Sequence, residues 1–103
     1  MSPRTEYEFA LSGTAIVYAR LDTERGEAVG YAVTLVAEEG GELRTVRVYD
    51  NAHGEAEMHR YSHAGEKRPA EKAPGATASE GFNMALDLIS SGFQEMIDGW
   101  RRG

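Results

Sequence analysis

No cysteine occurs in the 103 residues. That absence excludes disulfides, thiolate zinc sites and cysteine nucleophiles together. No apolar run approaches the ~20 residues that a membrane helix requires, so no membrane span is expected. The opening MSPRTEYEF lacks the apolar core of a secretory leader, and a cytoplasmic protein is the expectation. Phosphate-cradling glycine loops are missing as well, because Gly13 and Gly40-Gly41 fit no such spacing. No serine lies on a nucleophile elbow, which removes the commonest hydrolase signature. No internal repeat is present.

What remains is an ordinary folded composition. Hydrophobic residues make up 41% and charged residues 27%, which argues against disorder, and the length fits one domain spanning 1–103. The formal net charge is −6. Its distribution matters more. Residues 1–58 carry five basic and eleven acidic side chains, whereas residues 59–76 carry four basic and two acidic. An acidic body repels a phosphate backbone, so extended duplex binding is not expected. The one basic stretch, HRYSHAGEKRPAEK, also holds two of the three histidines.

Strand periodicity dominates the first 63 residues. In 5–11, Tyr7, Phe9 and Leu11 alternate with Glu6, Glu8 and Ala10. Residues 14–22 and 28–37 are β-branched and aromatic, 43–49 alternate again, and EMHRYSH can return as a further strand. Turn residues separate them at Arg25-Gly26, at Gly40-Gly41 and in DNAHGE. Residues 64–78 contain Pro69 and Pro74 and read as a loop, with a short edge strand around Lys67–Lys72. From 79 to 101, Phe82, Ala85, Leu86, Ile89, Phe93, Met96, Ile97 and Trp100 form one helical stripe. Thr77 with Glu80 fits a capping box, Ser79 is a second cap candidate, and Ser90-Ser91-Gly92 is the point where the helix could bend. The expected fold is α+β: an antiparallel β-meander of four to five strands followed by one long C-terminal helix on one sheet face.

The strands at 14–22 and 28–37 are apolar on both sides. A single helix covers only one face of a sheet, so a second copy of the chain is expected over the other.

All three histidines fall in VYDNAHGEAEMHRYSH. On an extended strand His59 and His63 stand about 13 Å apart, too far to share a metal held at ~2 Å. The spacing matches no specific metal motif, and neither a metal nor another cofactor is expected. Acid–base chemistry fits the residue types better. His53 and His59, with Tyr61, could exchange protons with a ribose hydroxyl and a leaving oxygen. Asp50, Asn51, Arg60, Lys67 and Arg68 would then bind the substrate, the cations as phosphate contacts. Periodicity puts His59 and Tyr61 on one face and Arg60 on the other. The competing reading is a structural hairpin, in which Asp50 and Asn51 bond their own backbone, His53 is solvated and Tyr61 packs.

Tyr49, Asp50, Asn51, Ala52, His53, His59 and Arg60 form a pattern that resembles the signature of the TumE family of toxin–antitoxin-associated proteins. The resemblance covers residues 48–61 and the general layout. It implies a bacterial stress or defence locus, with an antitoxin-like protein partner, more than it implies a reaction. Two functions are therefore expected to compete: a metal-independent, RNA-directed acid–base enzyme, and a non-catalytic module acting through its sheet face as a homodimer or with a partner.

Overall fold

The computed structural model describes residues 3–103. Six strands run in chain order across one antiparallel sheet: β1 (Arg4–Ala10), β2 (Ala15–Glu24), β3 (Glu27–Glu39), β4 (Glu42–Asp50), β5 (Glu57–Arg60) and β6 (Glu71–Lys72). One helix follows, α1 (Ala78–Arg102), and packs against β3 and β4. The meander-then-helix order is the expected one. The strand count is six rather than four to five, because the stretch after β5 donates a two-residue edge strand. The returning strand is also shorter than expected. It ends at Arg60, and Tyr61 makes only a single bridge to Lys67. Pro69 lies in the connection before β6, where the missing N–H leaves no ladder rung empty.

The helix starts where its cap chemistry dictates. Thr77 Oγ1 accepts from the Glu80 backbone N–H at 3.1 Å, and the Glu80 carboxylate accepts from the Thr77 backbone N–H at 3.2 Å. Both halves of the capping box are present. The helix continues through Ser90-Ser91-Gly92, where Ser91 Oγ donates to the Asp87 carbonyl at 2.8 Å instead of breaking the turn.

Alternation sorts the strand residues. Ala15, Val17, Ala19, Tyr31, Val33, Leu35 and Ala37 point to the helix and are almost fully buried. They meet Phe82, Ala85, Ile89, Ile97 and Trp100 from the helix stripe. Ile89 is at the centre, with no exposed surface, whereas Phe93 is only partly buried beside it. Trp100 is buried as its place in the stripe requires, and its indole N–H donates to the Ser62 carbonyl at 3.2 Å.

One close approach fixes the helix over β3. A methyl group at Gly81 would lie 2.4 Å from the Tyr31 hydroxyl oxygen, so only glycine allows the helix to come this near. Gly75, at φ +123°, lets the incoming loop press on Gly81 in turn. The Tyr31 hydroxyl is buried and finds no hydrogen-bond partner. Burial raises its pKa above the ordinary tyrosine value, and the Asp50 carboxylate adds to the effect.

Ile16, Tyr18, Ala32, Thr34, Val36 and Val48 alternate with core residues and stand on the opposite face. The only helix among the described residues lies on the other side. Tyr7 and Phe9 of β1 face the helix side, stack at 6.0 Å, and stay 38% and 44% exposed because α1 sits over β3 and β4.

Two outcomes follow. Ile89→Ala should lower unfolding free energy by about 2–5 kcal/mol in urea denaturation, more than Phe93→Ala, because the buried site cannot collapse. The raised Tyr31 pKa makes the neutral hydroxyl the folded form. Its contribution is whole below the unfolded value near 10 and is lost as pH rises through the folded value. Tyr31→Phe should therefore cost little at pH 7 and should flatten the loss of stability measured between about pH 9.5 and 11.

Candidate functional site at the β4–β5 hairpin

The sequence of β4 turns on one irregularity. Leu35 pairs with Arg47, and Val36 pairs with Thr45, so Val46 is an extra residue between them. This β-bulge puts both Val46 and Arg47 on the helix side. Beyond it, Tyr49 opposes Met58 on the helix side, while Val48 opposes His59 and Asp50 opposes Glu57 on the other.

Asn51 closes the hairpin against β3. Its side-chain carbonyl accepts from the Tyr31 N–H at 2.9 Å, and its amide donates to the Val29 carbonyl at 3.1 Å. The side chain thus replaces ladder rungs beyond the last β3–β4 pair, Ala32 with Asp50. Asp50 Oδ1 accepts from the Ala52 N–H at 3.2 Å, and the Gly54 N–H donates to the Asn51 carbonyl at 2.9 Å. Gly54 has φ +92°, which the turn requires.

The predicted site residues separate into two groups, one on each side of the hairpin. On the outer side, ligand atoms of Asp50, Glu57 and His59 lie within 4.8 Å of one another. His53 Nδ1 is 3.8 Å from Glu57 Oε1, with a side chain 71% exposed. His59 Nδ1 is 3.0 Å from the Arg68 carbonyl. An N–H donated there leaves Nε2 with the lone pair, the tautomer suited to a base or a metal ligand. Asp50, Glu57 and His59 are the set that could hold a divalent cation, a chemistry the spacing of the histidines alone did not suggest. Glu57 pairs with His53 and lies within 4.8 Å of the His59 ring nitrogen, and sequence reading missed it because alternate glutamates on an exposed strand look like solvation.

On the helix side, a cleft of about 330 Å³ lies between the hairpin and the second half of α1. Arg47, Arg60 and Arg68 line it, with Tyr61 beside them and Glu95 and Gly99 on the helix wall. Arg60 Nε pairs with Glu71 at 3.2 Å, both side chains about half exposed. Arg68 is anchored by its backbone, donating to the Arg60 carbonyl at 2.8 Å, and its side chain has no ion pair among the described residues. Arg47 is the unusual member. Its Nε is buried without a partner, and among the described residues its side chain makes only one hydrogen bond, a long one from Nη1 to the Tyr49 hydroxyl at 3.5 Å. Sequence reading missed Arg47 because strict alternation does not anticipate the bulge.

Lys67 and His63 stand apart from both groups. Lys67 bridges Tyr61 in an exposed position. His63 Nε2 meets Glu39 Oε1 at 2.5 Å and its ring lies 4.6 Å from that of Trp100. Arg44 donates to the His63 carbonyl, stands 5.6 Å over the Trp100 ring, and shares Glu39 with Arg101. This cluster clamps the end of the helix and is structural.

A family model for a domain of unknown function, DUF7718, matches residues 2–103. No curated protein and no solved structure matches the chain.

Asn51→Ala should cost about 1–3 kcal/mol, since it leaves the Tyr31 N–H and the Val29 carbonyl without partners. Hydrogen exchange at the Tyr31 amide reads this directly: faster exchange is expected there, with the helix amides unchanged.

Proposed function

The chain belongs to the DUF7718 family, and we propose that it works as a binding module that holds a small anionic ligand in the cleft between β4, β5 and α1. One observation carries the reading. Arg47 is a partly buried cation with no carboxylate partner among the described residues and a buried, unpartnered Nε. An unpaired charge withdrawn from water is costly, and a ligand anion would offset that cost. Guanidinium also suits the task, because its planar fork takes a carboxylate or phosphate with two bonds. Arg68 adds a second unpaired cation. Arg60 adds a third whose exposed pair with Glu71 is worth little and can be exchanged. In this reading Arg47, Arg60 and Arg68 contact the ligand, and Lys67, Asp50 and Asn51 do not.

An RNA-directed acid–base enzyme is the second reading. It is favoured by the gathering of His53 and His59 near the Glu57 carboxylate, and by the resemblance of residues 48–61 to TumE proteins. Two features weigh against it. Arg60 is on the other side of the sheet from His59, so a phosphate held in the cleft is not presented to both imidazoles. Asp50 and Glu57 would also repel a phosphate unless a cation lay between them. A partner over the opposite sheet face, a second copy or an antitoxin-like protein, rests on the apolar side chains of Ile16, Tyr18, Val36 and Val48.

Titration with inorganic phosphate and with acetate, followed by calorimetry and by amide shifts, tests the main reading. Shifts should centre on Arg47, Arg60, Tyr61 and Arg68. Arg47→Met should weaken binding by about 10- to 100-fold, the loss of one or two charged hydrogen bonds. Without ligand it should be as stable as the parent or more so, because the unpaired charge is gone. A variant that is destabilised and yet binds anions normally shows that Arg47 serves only the fold, and the reading is then abandoned.

A further inference from the structure

The cleft has two walls of opposite charge. Arg47, Arg60 and Arg68 stand on the sheet side, and Glu95 stands on the helix side. Glu95 forms no ion pair with any of the three, so its carboxylate is more than 4.0 Å from each guanidinium. Opposite charges that face one another without meeting leave space between them. A simple anion entering the cleft gains the guanidinium contacts but is opposed by Glu95.

Resting on the anion-binding reading above, we infer that the ligand is a small zwitterion: an acid group for the arginines with an amino group a few bonds away for Glu95. The cleft of about 330 Å³ is at the lower end for small-molecule sites, which suits a molecule the size of an amino acid or a phosphorylated amine rather than a nucleotide chain. Gly99 keeps the helix wall low. A methyl group at that position would meet only the Arg102 Nη2 atom, at 3.8 Å, and a larger side chain would occupy the cleft. The amino group also accounts for selection. A site with unlike charges on its two walls discriminates against ligands that leave one wall unpaired.

Matched pairs of probes decide the question. β-Alanine is compared with propionate, and phosphoethanolamine with ethyl phosphate, by calorimetry on the full chain. The two pairs also distinguish a carboxylate from a phosphate as the acid group. In at least one pair the amine-bearing member should bind about tenfold more tightly. Glu95→Gln should erase that preference while leaving the amine-free probe bound as well as before, or better. Arg47→Met should weaken both members. Gly99→Leu should block both without touching a charge, which covers the case in which the arginine variant folds poorly. Equal binding of the two members, unchanged by Glu95→Gln, overturns the zwitterion and leaves the anion site standing. If none of the four probes binds, the anion-binding reading fails with it.

Discussion

Burial of one helical stripe against β3 and β4 is the constraint on which the rest depends. Among the described residues, the stripe from Phe82 to Trp100 belongs to the only helix that covers the inner sheet face. Its placement is set at both ends. Gly81 admits the Tyr31 hydroxyl at the start, and the Trp100 indole reaches the Ser62 carbonyl at the finish. Around Trp100, Glu39 gathers His63, Arg44 and Arg101, which ties the helix end to β3 and to the loop after β5. A helix held over the middle of the sheet cannot cover its margins. On one side Tyr7 and Phe9 remain half exposed. On the other, the gap between the helix and β5 is the arginine-lined cleft. The candidate site is thus a consequence of covering six strands with a single helix.

The hairpin carries different chemistry on its two sides because side chains alternate. Asp50, Glu57 and His59 face outward, and Arg47 and Arg60 face the helix. The two sides are joined through Arg68. Its carbonyl engages His59 on one side, and its side chain lines the cleft on the other. The bulge at Val46 breaks strict alternation. By adding a residue to β4, it buries Val46 and still directs Arg47 inward. Without it one of the two would be turned away from the helix.

Local chemistry in the sequence determined much of the fold. The stripe at i, i+3 and i+4, the Thr77–Glu80 box and the alternation in 5–11 and 43–49 depend only on neighbours in the chain. They therefore indicate the meander, the helix and its first turn. The burial of Trp100 also followed, because a residue on the stripe has only the core to face. Tertiary structure decided the rest. The bulge depends on how β4 registers against β3, a pairing across the sheet. Asn51, which reads as a turn former, commits both ends of its side chain to β3 backbone, 20 and 22 residues away. His63 resembles its two neighbours in the sequence and becomes part of the Trp100 clamp. Arg47 looks like any exposed strand cation until the helix closes over it. Its isolation from a counter-charge is a property of the packed molecule, because burial and the distance to every carboxylate are set only when the helix and sheet meet.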